Sequence, residues 1–460
     1  MHPRIYGTEI EYGVFSWDLV PQVIDLPQLL EKIAHTIKTL PALRNGGRLY
    51  MDHGKHPEYC TPECLTPLEV MLHEKAGDRI LETLFKEGVE IEQNRGTVRF
   101  YKTVEDKQGN TYGYHENYLM ERREKNPDNA QERRDEKIYL AKCLIPFLVT
   151  RVIYAGAGNI NQGFEISGRA KYINREAYIT SQKYRPIVSM KDEPLSTRDK
   201  YRRLHIIPGE PNLSEYATFL KIGATALVLD VMEDGMPIPP AIENPVETLH
   251  QLARQTGSWV LRLESGKTIS AVDLQRIYLD RAVRHFEKGC EKDVPALREM
   301  NQTLLSLWEA TLDALERDPQ SLSQTLDWAI EKKLLEQYRE RHTLTWDHPM
   351  IAKADLRYHE IGPRSLFALL QQNGHVKRLI TDTAIEVALT TPPQTRAKGR
   401  VLFIKELANR GITIGSETEM WSKLGRDEET TAEHPLKIPD PFQTYEKNVM
   451  DYINDLFPQS

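Results

Sequence analysis

The chain of 460 residues has no surplus of positive charge: 60 Lys and Arg stand against 67 Asp and Glu, a net charge of −7. That balance excludes the basic surface by which nucleic-acid binders hold phosphates. Cysteine is scarce, with four residues at Cys60, Cys64, Cys143 and Cys290. Cys60 and Cys64 invite a zinc reading, but no second Cys or His pair follows at finger-like spacing. All four are expected to be reduced and partly buried, as in a cytoplasmic protein. The longest apolar stretch, CLIPFLVTRVIYAGAG, is interrupted by Arg151 and reads as too short to span a bilayer. The opening residues MHPRIYGTEIEYG carry neither a basic n-region nor an apolar h-region, so no signal peptide and no membrane partner are expected. Neither a Walker A loop nor a GxGxxG turn in a βαβ unit is present, so any ATP site is neither P-loop nor Rossmann. What remains, 40% hydrophobic and 28% charged residues, can bury a core and argues against wholesale disorder.

Residues 4–14 alternate as a strand, with Gly7, Glu9, Glu11 and Gly13 on one face. Residues 26–40 give an amphipathic helix with Asp25 as its N-cap, and GRLYMD (47–52) a second strand. HPEYCTPE then reads as a short extended segment, because a residue before proline avoids the helical region. A helix over 66–86, a strand over 97–102 and a turn at Lys107–Gly109 follow. The charged run 121–137 reads as a solvated loop or exposed helix start. From 290 to 342 the pattern is helical, with Leu304, Leu307, Trp308, Leu312 and Leu315 as a core stripe. TTPPQTRAKGR (390–400) reads as a junction between residues 1–392 and a small C-terminal module, 393–460.

The two N-terminal strands concentrate chemistry. One offers Glu9 and Glu11 on a single face; the other offers Arg48, Tyr50 and Asp52, with Glu58 just beyond. Strands deplete Asp and Glu, and several on one face are costly unless a cation neutralises them. Mg²⁺ suits such hard oxygens and bridges carboxylates to nucleotide phosphates, which the planar fork of Arg48 could also meet. A simply hydrated sheet face is the open alternative. In YRRLHIIPGEPNLSE (201–215), Arg202, Arg203 and His205 suit phosphate contact, against the alternative of a surface strand with ordinary ion pairs. His115 in GYHENYLM suits a structural role as well as a ligand's.

RIYGTEIEYG, LRNGGRLYMDHGKHPEYCTPEC, YGYHENYLM, IPFLVTR, YRPIVSMKDEPLS, YRRLHIIPGEPNLSEYATFLKIGATALVLD, LDWAIEKKLL, HPMIAKADLRYHEI and PPQTRA together resemble one family. It is that of the Pup ligases and Pup deamidases/depupylases, within the glutamine synthetase-like carboxylate–amine ligases. The resemblance implies an α+β fold in which helices pack a curved antiparallel sheet, with a small C-terminal domain. It implies ATP and Mg²⁺ as cofactors, Glu9, Tyr50 and Glu58 at metal positions with Glu11 as a supporting or second-metal carboxylate, and Arg48, Thr61 and Trp421 as ATP contacts. Arg203 and His205 join that ATP set, and Asp52 matches the catalytic aspartate. The implied reaction is two-step. The side-chain carboxylate of the C-terminal Glu of a Pup-like modifier takes the γ-phosphoryl group of ATP, and a target-protein lysine then displaces phosphate, Asp52 receiving its proton.

The two branches of the family differ between the first acidic strand and the catalytic aspartate, where the deamidase carries a long extra loop. Here Glu11 and Asp52 are 41 positions apart, which resembles the ligase, as does the DHGKHPE spacing from Asp52 to Glu58. GTEIEYG and the pair Asp52–His53 resemble the deamidase instead. KTVEDKQGNTYG, Glu210, MKDEPLS and the longer 121–137 run depart from the family pattern and mark a divergent member. Beside ligation stand deconjugation, a small-substrate glutamate–amine ligase, and a catalytically silent binding relative, against which Glu9, Asp52 and Glu58 speak.

Overall fold

A computed structural model describes residues 3–15, 26–40, 42–88, 99–106, 110–123, 128–179, 183–191, 200–289, 295–415, 423–424 and 435–458. Asp25, the 107–109 turn, Cys290 and Trp421 lie outside them. The described residues form two compact units. One gathers residues within 5–101 and 380–460; the other gathers those within 102–193 and 198–379, with Arg4. Helices and antiparallel ladders make up both, an α+β architecture.

The first unit is built on β1 (Tyr6–Glu11), β2 (Gly13–Phe15), α1 (Leu26–Thr39), β3 (Arg48–Met51), β4 (Pro57–Cys60), α2 (Pro67–Gly88) and β5 (Arg99–Tyr101). The extended segment expected at HPEYCTPE is thus a strand over Pro57–Cys60. It pairs antiparallel with β1 on one side and β3 on the other, so β4 is the central strand of the three. Pro57 opens it, a position where a missing N–H costs little. Directly opposed residues share a face. Ile10, Tyr59 and Leu49 therefore make one row, and all three are fully buried. Burial of each aliphatic side chain contributes about 1.5–3 kcal/mol.

Helix α2 closes that face. Tyr12 Oη donates to Asp78 at 2.8 Å, and Asn45 Nδ2 donates to Tyr59 Oη at 2.9 Å. The helix comes this close because residue 77 is glycine: a Cβ there would lie 2.4 Å from two ring carbons of Tyr59. Gly77→Ala is expected to destabilise the unit by about 1–3 kcal/mol, the usual cost of overpacking. Chemical denaturation checks this, and an unchanged midpoint would mean the ring can move aside.

In the same unit Phe403, Leu407, Ile414, Leu424, Ile438, Val449 and Ile453 form a hydrophobic cluster of their own. It is carried largely by the helices Arg396–Ala408 and Glu446–Leu456.

The second unit contains the antiparallel pair β6 (Tyr114–Glu121) and β7 (Tyr201–Ile206), with α3 (Ala130–Ala155) and α4 (Glu215–Glu233). The last part of the charged run is the opening of α3, capped by Asn129, whose side chain accepts from the Gln131 and Glu132 amides. By length and composition α3 could cross a membrane, unlike the sequence expectation, but 78% of its apolar window is buried inside the protein. Its apolar residues drive that burial, and Arg151, which interrupts the run, is accommodated inside because it holds buried Glu116 of β6 through two bonds of 2.7 and 2.8 Å. Leu304, Trp308, Leu312 and Leu315 are buried as expected, and Leu304 meets α4 at Gly223, where a Cβ would come within 2.2 Å of it.

Candidate active site

The strand registers set the site. Glu9 stands opposite Cys60, and Cys60 opposite Arg48; Glu11 stands opposite Glu58, and Glu58 opposite Tyr50. On one face of β1, β4 and β3 this makes two rows, Glu9–Cys60–Arg48 and Glu11–Glu58–Tyr50. Along β1 the face bearing Glu9 and Glu11 is half-buried, while Tyr6, Thr8 and Ile10 on the other are buried. Glu58 is itself buried.

The two rows are coupled to each other. The Arg48 guanidinium lies over the Tyr50 ring, 4.4 Å from its centroid. Burial above all, with the Glu58 and Glu9 carboxylates adding to it, pushes the Tyr50 phenol far up, so it stays protonated. Cys60 Sγ sits 3.9 Å from Tyr50 Oη and 4.0 Å from a Glu58 carboxylate oxygen. Burial, then Glu58 and Glu9, raise the Cys60 thiol well above its ordinary value, so it offers no thiolate to a soft metal.

Asp52 follows β3 and anchors the turn back into β4. Its amide donates to His56 O at 2.9 Å, and its Oδ1 accepts the His56 amide at 2.5 Å. His56 Nδ1 lies 3.1 Å from Glu11 Oε2 and 3.6 Å from Asp52 Oδ2. Burial works against the charged form of His56, but the adjoining Asp52 and Glu11 carboxylates win and lift it to about 9. Burial likewise raises Asp52, yet the ring and amide of His56 outweigh it and hold the carboxyl below its ordinary value. Asp52 is therefore ionised at neutral pH.

Other sequence candidates fall as follows. Thr61 continues from β4; it is buried, and its hydroxyl accepts the Thr8 amide at 3.0 Å. A hydroxyl that accepts still has an O–H to donate. In the second unit Arg203 and His205 share the less buried face of β7, and both contact Asn117 Oδ1, at 2.8 and 3.0 Å. The His115 ring lies 4.9 Å from that of His205. Glu210, a departure from the family pattern, is a buried bracket: it accepts from the Ala157 amide, the Ser167 hydroxyl and the Arg169 amide at 2.7–2.8 Å.

Two contributors escaped the sequence reading. His56 was visible only as part of a spacing, although its place four residues after Asp52 and two before Glu58 marks a tight hairpin. Glu63, just beyond Thr61, is buried against Arg396 and Arg400, each 2.6 Å from it. No sequence pattern links positions so far apart.

Comparison with known proteins agrees with these elements. The profile described as Pup-ligase protein matches residues 28–424. A Pup–protein ligase of Nocardioides sp. is 37% identical over 474 aligned positions, covering 99% of this chain and all of that one. One from Actinosynnema mirum is 36% identical, again over 99% of this chain and the whole of the relative. Among solved structures, the crystal structure of the complex between Prokaryotic Ubiquitin-like Protein Pup and its Ligase PafA superposes with a TM-score of 0.86. It is 32% identical and covers 99% of this chain and 92% of that one. The structure of the Pup ligase PafA in complex with ADP gives 0.79 at 31% identity, covering 96% of each chain. Full-length similarity of this kind, on strands that carry the acidic rows, is decisive: the chain belongs to the Pup-ligase protein family.

Proposed function

We propose that this protein is an ATP-dependent ligase that joins the side-chain carboxylate of the C-terminal Glu of a Pup-like modifier to a lysine of a target protein. The observation that carries the reading is the pair of rows, Glu9–Cys60–Arg48 and Glu11–Glu58–Tyr50, with the Asp52 turn at their end. In the first step a modifier carboxylate oxygen attacks the γ-phosphorus of ATP, the bond to the β-phosphate oxygen breaks, and ADP leaves. Arg48 and Thr61 supply donors for phosphate oxygens; Arg203, His205 and Trp421 are proposed alongside them on the family resemblance. In the second step the lysine nitrogen attacks the acyl-phosphate carbon and phosphate leaves. Asp52 takes the amine proton, a role its ionised carboxylate suits.

Glu9, Tyr50 and Glu58 would hold Mg²⁺, with Glu11 supporting, and the ion would offset charge on the phosphate oxygens. The donor set fits: all four are hard oxygens, and the one sulfur in the array stays a thiol. Removing Mg²⁺ with a chelator is expected to abolish modifier-dependent ADP release, and adding it back to restore it. Glu58→Gln should raise the Mg²⁺ concentration needed by at least about tenfold. A Mg²⁺ titration of ADP release checks this; an unshifted midpoint would remove Glu58 from the metal set.

The deciding assay combines purified protein, ATP, Mg²⁺, a Glu-ended Pup-like modifier and a lysine-bearing target. Ligation predicts an isopeptide conjugate. Cleavage of a preformed conjugate would favour the deamidase branch, and the absence of both products would overturn the reading. A division into a catalytic domain, 1–392, and a small C-terminal domain, 393–460, has the cluster around Phe403 and Val449 in its favour, while the compact units cut the chain differently and join 380–460 to 5–101. A cytoplasmic location is supported by the free, buried thiols of Cys60, Cys64 and Cys143. The net charge of −7 supports protein rather than nucleic-acid partners.

A further inference from the structure

We infer that His56 is a positioning residue for the lysine-transfer step, holding Asp52 through its backbone amide and being held in turn by Glu11. This rests on the ligase reading and assigns Glu11 a part within it.

A general base acts only when its free oxygen meets the proton in line, and an aspartate carboxylate rotates about two bonds unless its surroundings stop it. The turn supplies the stops. Asp52 N donates to His56 O at 2.9 Å, and Lys55 N donates to Asp52 O at 3.1 Å. The His56 amide donates to Asp52 Oδ1 at 2.5 Å. Oδ1 is thereby engaged by the backbone. Oδ2 sits 3.6 Å from His56 Nδ1, longer than an ordinary hydrogen bond, and takes the amine proton in this arrangement. The ring's own bond goes to Glu11 Oε2, at 3.1 Å. A carboxylate only accepts, so Nδ1 carries the hydrogen and the imidazole is oriented. The chain of support thus runs from Glu11 on β1, through the His56 ring, to the turn that fixes Asp52.

Gly54 gives the arrangement a second, independent handle. A Cβ at residue 54 would lie 2.9 Å from Asp52 Oδ2, 2.9 Å from His56 Cε1 and 3.0 Å from His56 Nδ1. Among the described glycines it is not one of those with positive φ, so alanine is acceptable to the backbone and tests space alone. Gly54→Ala would push the two side chains apart without altering any charge.

The test separates the two steps with hydroxylamine, a nucleophile that is neutral near pH 7 and captures an acyl phosphate without a general base. Wild-type protein with ATP, Mg²⁺ and a Glu-ended Pup-like modifier should yield a hydroxamate; with a lysine target it should yield conjugate. His56→Ala and Gly54→Ala should each slow transfer to lysine by on the order of 10²-fold, as misplacement of a catalytic group does. The loss should fall on kcat, and hydroxamate formation should drop at least about tenfold less. His56→Asn, whose side-chain amide can donate to Glu11, should recover part of the lysine rate. Equal losses of hydroxamate and conjugate in both variants would overturn the inference, since they would mark a folding or nucleotide-site defect. Unchanged transfer in both would overturn it too. Wild-type protein that forms no hydroxamate would instead overturn the ligase reading itself.

Discussion

Asp52→Asn is expected to lower conjugate formation by about 10²–10⁴-fold, the usual worth of a positioned general base. Modifier-dependent ADP release and nucleotide binding should largely persist. The substitution is informative because Asp52 has two jobs. Its Oδ1 accepts the His56 amide at 2.5 Å and its backbone closes the turn to His56 O, so a larger change would damage the hairpin that carries Glu58. Asparagine keeps an acceptor oxygen at that point and deletes only the ionised one. His56, whose pKa the neighbouring Asp52 and Glu11 carboxylates raise to about 9, would lose one of those two anionic neighbours. Conjugation measured as initial rate, alongside ADP release, checks the split. Wild-type conjugation by the Asn variant would rule out proton abstraction by Asp52. Loss of ADP release as well would show that the carboxylate serves the first step.

Side-chain parity made half of the site legible. A period of two puts Glu9 with Glu11 and Arg48 with Tyr50, and the structure keeps each pair together. Parity could not say which strand lies between them. β4 is four residues long and opens on Pro57, so on its own it reads only as a short extended segment; its central place comes from pairing on both sides. That pairing brings Glu58 into the row between Glu11 and Tyr50, and puts a thiol between Glu9 and Arg48. Ion pairs were the least legible feature. Arg151 looks like a flaw in an apolar run until Glu116 is seen to hold it, and the partner sits on a strand with no fixed spacing from the helix. Hydropathy also divided α3, because its polar first turns and apolar later ones differ so sharply.

Glu63→Gln should destabilise the unit that bears the acidic rows by about 3–5 kcal/mol, because it leaves two buried guanidiniums short of a partner charge. Arg396 Nε and Arg400 Nη2 each lie 2.6 Å from the Glu63 carboxylate, and Arg400 also donates to Gly46 O at 2.9 Å. Thr395, the N-cap of the same helix, donates its hydroxyl to Glu63 O at 2.9 Å. The helix Arg396–Ala408 is thereby pinned to the exit of β4, two residues past Thr61. Acid offers a second test of the same bond. Burial raises the Glu63 pKa, but the charges of Arg400 and Arg396 overcome it and bring it from the ordinary 4.5 down to about 2. A depressed carboxylate stabilises the fold above its unfolded pKa, so the contribution is complete above about pH 5 and is lost as pH falls towards 2. The shift corresponds to about 3 kcal/mol. In urea denaturation the gap between wild type and Glu63→Gln should therefore be widest near neutrality and should narrow below about pH 4. A gap that stays constant from pH 7 to pH 3 would mean that the lost stability comes from packing of the glutamine and not from the ion pair. If no gap appears at any pH, the helix is held by its apolar face, through Phe403 and Leu407, and the Glu63 bridge adds nothing net.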